Sequence, residues 1–186
     1  MLKINIVSEI DIPDPVLEHI EDTLSEIAPT EVEILEDIDL TDVVRSFKDN
    51  VRGQINAEKL LNALRNVFNI REFNNKIVIV IDDDGYVPGL NFVFGIAELC
   101  GNIAIVFTER LKVTYIGEID ITTLFYERLT KEILHELGHT LCLEHCPNRR
   151  CVMSFSNSIL DVDYKEARYC RTCIEKARSV ISWKKF

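Results

Sequence analysis

The sequence predicts an α+β fold, with about five short strands gathered ahead of one long helix that carries a cluster of histidines. Two observations predict it. Runs with strand character between Leu2 and Thr108 are short and are separated by two stretches of helical spacing, and the patterned stretches beyond Thr122 are helical. At 186 residues, 47% hydrophobic and 28% charged, the chain suits one domain spanning 1–186 with a sizeable core. No linker, repeat or low-complexity tract marks a boundary.

Leu2 to Val7 alternates apolar and polar residues and reads as the first strand. Pro13 to Ile27 places Val16, Leu17, Ile20, Leu24 and Ile27 on one helical face, and Pro29 ends it. Val32 to Leu35 is a second short strand. The acidic stretch that follows, as far as Gly53, is weakly patterned. Asn56 to Phe68 is an amphipathic helix with an Asn cap before its first turn and Leu60, Leu61, Leu64, Val67 and Phe68 on one side.

Ile77 to Ile81 is five consecutive β-branched residues, a strand buried on both faces. Asp82, Asp83, Asp84 and Gly85 then make a turn. Three adjacent carboxylates could suggest calcium, but nothing nearby supplies the remaining oxygens, so a solvated turn is the better reading. Asn91 to Ala97 and Ile103 to Thr108 are two more strands joined by a turn at Leu99 to Asn102. Thr122 and Thr123 are candidate caps for a long helix with the stripe Phe125, Leu129, Ile133, Leu137 and Leu141. A last helix runs from Val162 to Ser182.

The formal charge of −10 is uneven: residues 1–50 hold 14 acidic and 3 basic groups, and residues 149–186 hold 4 acidic and 9 basic. The acidic first quarter repels nucleic acid and anionic membranes, and a basic helix at the end is a solvated face. No nucleic-acid or membrane partner is expected. The N-terminus lacks the apolar run of a signal peptide, and the window Asn91 to Phe107 is too short and too interrupted to span a bilayer. A cytoplasmic location follows, and with it the expectation that most of the six cysteines are reduced.

Three of four histidines fall within H-E-L-G-H-T-L-C-L-E-H-C, residues 135–146. His135 and His139, four apart on a helix, put both rings on one side, within reach of one metal ion. His145 joins them only if the helix ends near residue 142 and the chain turns back. Three imidazoles leave a zinc coordination position open, the arrangement of a catalytic site. Zinc lowers the pKa of a water from 15.7 to about 7, and Glu136 can take its proton as it attacks an amide carbonyl and then pass it to the leaving amine. The expectation is a zinc metallopeptidase acting on peptides or proteins. Two other classes stay open: a zinc-bound peptide-binding module with little or no activity, and a three-histidine zinc endoribonuclease, against which Glu136 and the acidic N-terminal quarter speak.

Cys146 and Cys151, with the C-x-x-C pair Cys170 and Cys173, have the spacing of a closed tetrahedral zinc site that pins the last helix beside the active-site loop; disulfides are the alternative. Two zinc ions per chain are therefore expected, one catalytic and one structural. Met153 is either a core gap-filler or the floor beneath the catalytic metal.

These residues resemble the archaemetzincins, a branch of the metzincin clan of zinc peptidases with an H-E-x-x-H-x-x-G-x-x-H pattern and a Met-turn. The match covers His135, Glu136, His139, His145, Cys146, Cys151, Met153, Cys170 and Cys173 in order, and Phe92 to Ala97 looks like the strand segment that precedes the active helix. The resemblance implies a metzincin-like twisted mixed sheet of about five strands packed on two long helices, with a cleft between an upper subdomain (1–145) and a small helical lower one (146–186). It makes His135, His139 and His145 ligands of the catalytic zinc, Glu136 the base, Met153 the Met-turn residue, and the four cysteines the ligands of structural zinc. An edge strand, 91–97 or 103–108, would receive an extended peptide.

One position departs from the pattern: Cys142 stands where the family has glycine. A left-handed backbone at the helix break costs a residue with a Cβ about 1–2 kcal/mol. Cys142 is then either a plain buried cysteine or a modulator whose thiolate fills the open position on the zinc. Oligomeric state is not legible.

Overall fold

The alternation of the first residues becomes strand β1, Leu2–Ser8, in which Leu2, Ile4 and Ile6 are buried and Lys3 is exposed. The computed structural model describes residues 1–113 and 121–183. Helix α1, Asp14–Ser25, buries Val16, Ile20 and Leu24. Strand β2, Thr30–Ile34, returns parallel to β1. The weakly patterned acidic stretch holds a short helix, α2, Thr41–Ser46, and two small strands, β3, Lys48–Asp49, and β4, Gln54–Asn56. Helix α3, Ala57–Phe68, follows, and Asn56 caps it by accepting from the Lys59 N–H at 3.1 Å.

Strand β5, Asn75–Ile81, lies beside β1. Beyond it come β6, Gly85–Tyr86, β7, Gly95–Ala97, β8, Ile103–Phe107, and a 3₁₀ turn at Glu109–Lys112. The main sheet has the order β2-β1-β5-β8-β7, parallel except for β7, which is antiparallel at the edge. A second, three-stranded sheet has the order β3-β4-β6. Strands of two or three residues carry too little periodicity to be read from sequence, which is why this sheet was not expected.

The β-branched run of β5 divides between two cores. Val78 and Val80 join Leu2, Ile4 and Ile6 under α1, while Ile77, Ile79 and Ile81 face α2 and α3 on the opposite side. Both faces of the strand are thus buried, as a continuous apolar run in a parallel sheet requires. The sheet rests on two long helices on its first face, α1 and α4, Ile121–Thr140, and α3 covers the second. Leu129, Ile133, Leu137 and Leu141 of the expected stripe are all buried, each contributing about 1.5–3 kcal/mol through removal from water. Thr122 and Thr123, read as caps, lie inside the first turn of α4; the residues before Ile121 are outside the described residues.

Two further boundaries differ from the sequence reading. Asn91–Phe94 forms no strand: it contributes an isolated bridge, Val93 to Gly85, and the Phe94 carbonyl, which accepts from the Phe107 N–H at 2.8 Å, so the edge strand is confined to β7. The last helix is two: α5, Ile159–Tyr164, closed by a Ser158/Asp161 capping box, and α6, Arg171–Trp183. The break between them buries Lys165 and lets the Cys170 N–H reach Cys151 Sγ at 3.2 Å. The aspartates of the 82–85 turn each meet a cation: Asp82 with Lys112 at 2.6 Å, Asp83 with Lys48 at 2.5 Å and Asp84 with Arg110 at 2.7 Å. Among the described residues no helix is long and apolar enough to cross a membrane.

Candidate metal centre and active site

Helix α4 ends where His145 needs it to end. The Leu143 N–H reaches the Gly138 carbonyl and the Cys142 N–H reaches the His139 carbonyl, both at 3.0 Å, the paired bonds of a Schellman motif. Cys142 occupies its left-handed position, with φ +66°, the place where glycine is favoured. The turn sends the chain back so that the His145 ring lies 5.4 Å from that of His135 and 5.0 Å from that of His139.

The hydrogen bonds of two rings decide their tautomers. His135 Nδ1 lies 2.7 Å from the Val152 carbonyl, and His139 Nδ1 lies 2.7 Å from the Leu143 carbonyl. A carbonyl only accepts, so each Nδ1 carries the proton and each Nε2 presents a lone pair. Those two Nε2 atoms are 3.2 Å apart. Two lone pairs facing at that distance repel each other unless a cation lies between them, so the donor set fits a metal ion. Ligand atoms of all three histidines lie within 4.8 Å of one another. Burial and the nearby Lys165 charge hold the His135 imidazole well below its usual pKa, and burial lowers those of His139 and His145. Neutral rings are the form that binds metal.

Glu136 is buried and lines a cleft of about 750 Å³ between β7, α4 and the segment Phe155–Asn157. Burial, and then the carboxylate of Glu132 one turn earlier, push its carboxyl well above the usual range. Gly95 of β7 lies against it: a Cβ there would stand 2.6 Å from Glu136 Oε1. Below the histidines, a Cβ at Gly138 would stand 2.2 Å from Met153 Sδ, so Met153, fully buried, is pressed against α4 next to His139.

The sulfurs of Cys146, Cys151, Cys170 and Cys173 also converge within 4.8 Å, all as free thiols. Burial pushes Cys151 up to about 11. Against its own burial, the backbone N–H of Cys173 and neighbouring thiols draw Cys170 down to about 7. Four sulfurs in one tetrad, one already inclined to ionise, suit a thiophilic metal such as zinc.

The match to known proteins agrees with this site. The family model of peptidase family M54 matches residues 5–179. The chain belongs to peptidase family M54. Archaemetzincin of Saccharolobus solfataricus is 40% identical over 176 residues, 94% of this chain and 92% of that protein. Archaemetzincin of Aeropyrum pernix is 46% identical over 134 residues, 71% of this chain and 68% of that one. Among solved structures, archaemetzincin from Methanopyrus kandleri superposes with a TM-score of 0.77 at 34% identity, covering 97% of this chain and 96% of that one. Archaemetzincin from Archaeoglobus fulgidus, solved with malonate, gives 0.71 at 34% identity, with 94% and 99% covered. The M54 chain is accordingly a zinc metallopeptidase, a hydrolase of peptide or protein substrates, with an archaemetzincin fold.

Within this M54 site the reading of Cys142 needs correction. Cys142 is bonded to Cys100 across 42 residues, so it has no free thiolate for the metal and is not a plain buried cysteine. Its left-handed backbone turns its side chain toward the loop after β7, where Cys100 also has a positive φ, +60°. Two of the six cysteines are thus oxidised, while the other four are free thiols. Sequence reasoning also passed over Glu132 and Lys165, whose buried side chains meet at 2.8 Å. Glu132 is four residues before Glu136 and so shares its face, a signal that was available; the partner thirty-three residues on was not.

Proposed function

We propose that this M54 peptidase cleaves peptide bonds with Glu136 as general base, and that His135, His139 and His145 hold a catalytic zinc. The observation that carries the reading is the pair of deprotonated Nε2 atoms 3.2 Å apart on the helix turn that also carries Glu136. When bound, zinc supplies Lewis acidity toward the scissile carbonyl and toward water. Glu136, whose burial raises its affinity for a proton, takes one as the carboxylate from the attacking water and returns it to the leaving nitrogen. Gly95, lacking a side chain, lets the substrate strand and β7 lie close to that carboxyl. An extended peptide adds to the outer edge of β7, which among the described residues pairs in the sheet with β8 alone.

Cys146, Cys151, Cys170 and Cys173 hold a second, structural zinc, which makes two per chain. Met153 is the Met-turn residue, and with the third histidine six residues after the second it supports placing the chain in the metzincin clan. The chain acts as one domain, 1–186, with 1–145 above the cleft and 146–186 below it. The four free thiols support a cytoplasmic location, with the Cys100 to Cys142 bond its exception. Glu132, Glu136 and Glu144 line the cleft and, among the described residues, no lysine or arginine does, which favours a peptide over a nucleic acid.

The test is Glu136→Gln with metal analysis. Two zinc ions per chain should remain, while peptide cleavage falls by about 10²–10⁴-fold. Undiminished cleavage, or hydrolysis of RNA but not peptides, would overturn the mechanism; retained peptide binding without cleavage in the parent protein would point to a binding module.

A further inference from the structure

Glu132 is a buried carboxylate that the reaction does not use. Its side chain is 3% exposed, yet it forms part of the cleft wall. Lys165 lies 2.8 Å from Oε1 and is sealed behind it, 2% exposed and absent from the cleft lining. An ionised carboxylate accepts several hydrogen bonds. Oε1 is fully enclosed and meets Lys165 Nζ as an ion pair outside hydrogen-bond geometry, whereas Oε2, which no hydrogen bond among the described residues engages, is not fully enclosed. The open acceptor therefore faces the cleft while its counter-ion faces the protein interior.

Position gives that acceptor a meaning. Glu132 and Glu136 are one helical turn apart, about 6 Å between Cβ atoms, with Glu132 on the side away from His139. A group bound at Glu132 is therefore a near neighbour of the bond that Glu136 serves. The surrounding wall is apolar and aromatic, with Phe92, Phe94, Ile96 and Phe155, able to take the methylene stem of a long side chain. Its titratable groups other than histidine are all acidic, and a charge-assisted hydrogen bond is about twice as strong as a neutral one. A cation is the donor this wall suits best.

We propose that Glu132, positioned by Lys165, is a specificity residue that receives a positively charged nitrogen of the substrate next to the scissile bond. This rests on the reading of the cleft as a peptidase site. The nitrogen has two possible sources, the side chain of a lysine or arginine and the free α-amine of the peptide. The acceptor treats them alike, because both offer positively charged N–H donors.

Four peptides separate the sources: one sequence with lysine or norleucine beside the scissile bond, each with a free or an acetylated N-terminus. For the zinc-loaded enzyme, adding the favoured nitrogen should raise kcat/KM about tenfold, the scale of a hydrogen bond to a charged group. A gain from lysine in the acetylated pair identifies the side chain; a gain from the free amine in the norleucine pair identifies the terminus. In Glu132→Gln/Lys165→Met, which removes both charges together and leaves neither one buried alone, the ratio should fall to about twofold or less. The same ratios are read as Kd by calorimetry in Glu136→Gln, so selectivity is measured even without turnover, and a failure of the base assignment stays distinct from a failure here. No preference in either arm of the parent protein, or a preference undiminished in the double variant, overturns the proposal. Should the double variant not fold, the Kd ratios in Glu136→Gln decide, and the absence of a preference there overturns the proposal.

Discussion

Replacing Cys100 by Ala and Cys142 by Gly removes the one crosslink of the described chain and at the same time gives the helix break the residue that its backbone favours. The two effects oppose each other. Closing a loop of 42 residues lowers the entropy of the unfolded chain by about 13 cal/mol/K, or about 4 kcal/mol at 25 °C. Glycine at φ +66° recovers about 1–2 kcal/mol of left-handed strain, less roughly 0.5–1 kcal/mol for the extra freedom it brings to the unfolded state. The net loss is about 3 kcal/mol, and a melting temperature lower by about 6–12 °C for a chain of this size. Urea denaturation of zinc-loaded protein without reductant, followed by circular dichroism, measures it. The single variant Cys100→Ala, which keeps the strained residue, should be less stable than the double. Thiol titration of the denatured, chelated and unreduced parent should count four free thiols. A double variant as stable as the parent, or six titrating thiols, would refute the reasoning.

Gly138→Ala should destabilise by about 1–3 kcal/mol of overpacking, because its Cβ meets Met153 Sδ and finds Tyr169 Cε1 at 3.1 Å behind it; the urea midpoint checks this, and an unchanged midpoint sinks it. Acid should weaken the metal-free fold. In the unfolded chain the imidazoles protonate near pH 6.5, whereas folded His135, His139 and His145 stay neutral to lower pH, so the unfolded state binds more protons and stability falls as pH drops below about 6.5. Glu136, with its raised pKa, has the opposite sign, so the series belongs in Glu136→Gln, where a flat urea midpoint from pH 7 to 5 would contradict the assignment.

Much of the site was legible because it is local. His135, Glu136 and His139 share one helix, and the need for His145 to return forced the prediction of a break near 142, which the Schellman turn at Cys142 supplies. The five-stranded sheet was legible for the same reason, since β1, β5 and β8 each carry an apolar pattern of their own. The partner of Cys142 was not, because a disulfide depends on where two distant loops meet, and the left-handed turn expected at 142 does not point to Cys100. Lys165 was hidden inside what read as one helix, since a buried lysine with one acidic partner looks in sequence like any residue of a basic helical face. The three-stranded sheet failed on length alone.

The segment Cys151–Met153 reaches two donor groups within three residues. Cys151 gives its sulfur to the thiol tetrad, Val152 gives its carbonyl to the His135 ring, and Met153 fills the notch left by Gly138 while its own carbonyl accepts the N–H of Cys146. The chain length between these atoms works as a spacer gauge of fixed pitch. A single residue added or removed there would throw both donor groups out of alignment together, whereas the same change in the loop after β6 would touch neither. Residues 151–153 thus hold the interval between the imidazoles and the thiols, while the cleft rim at Leu90 to Phe94 belongs to a separate loop.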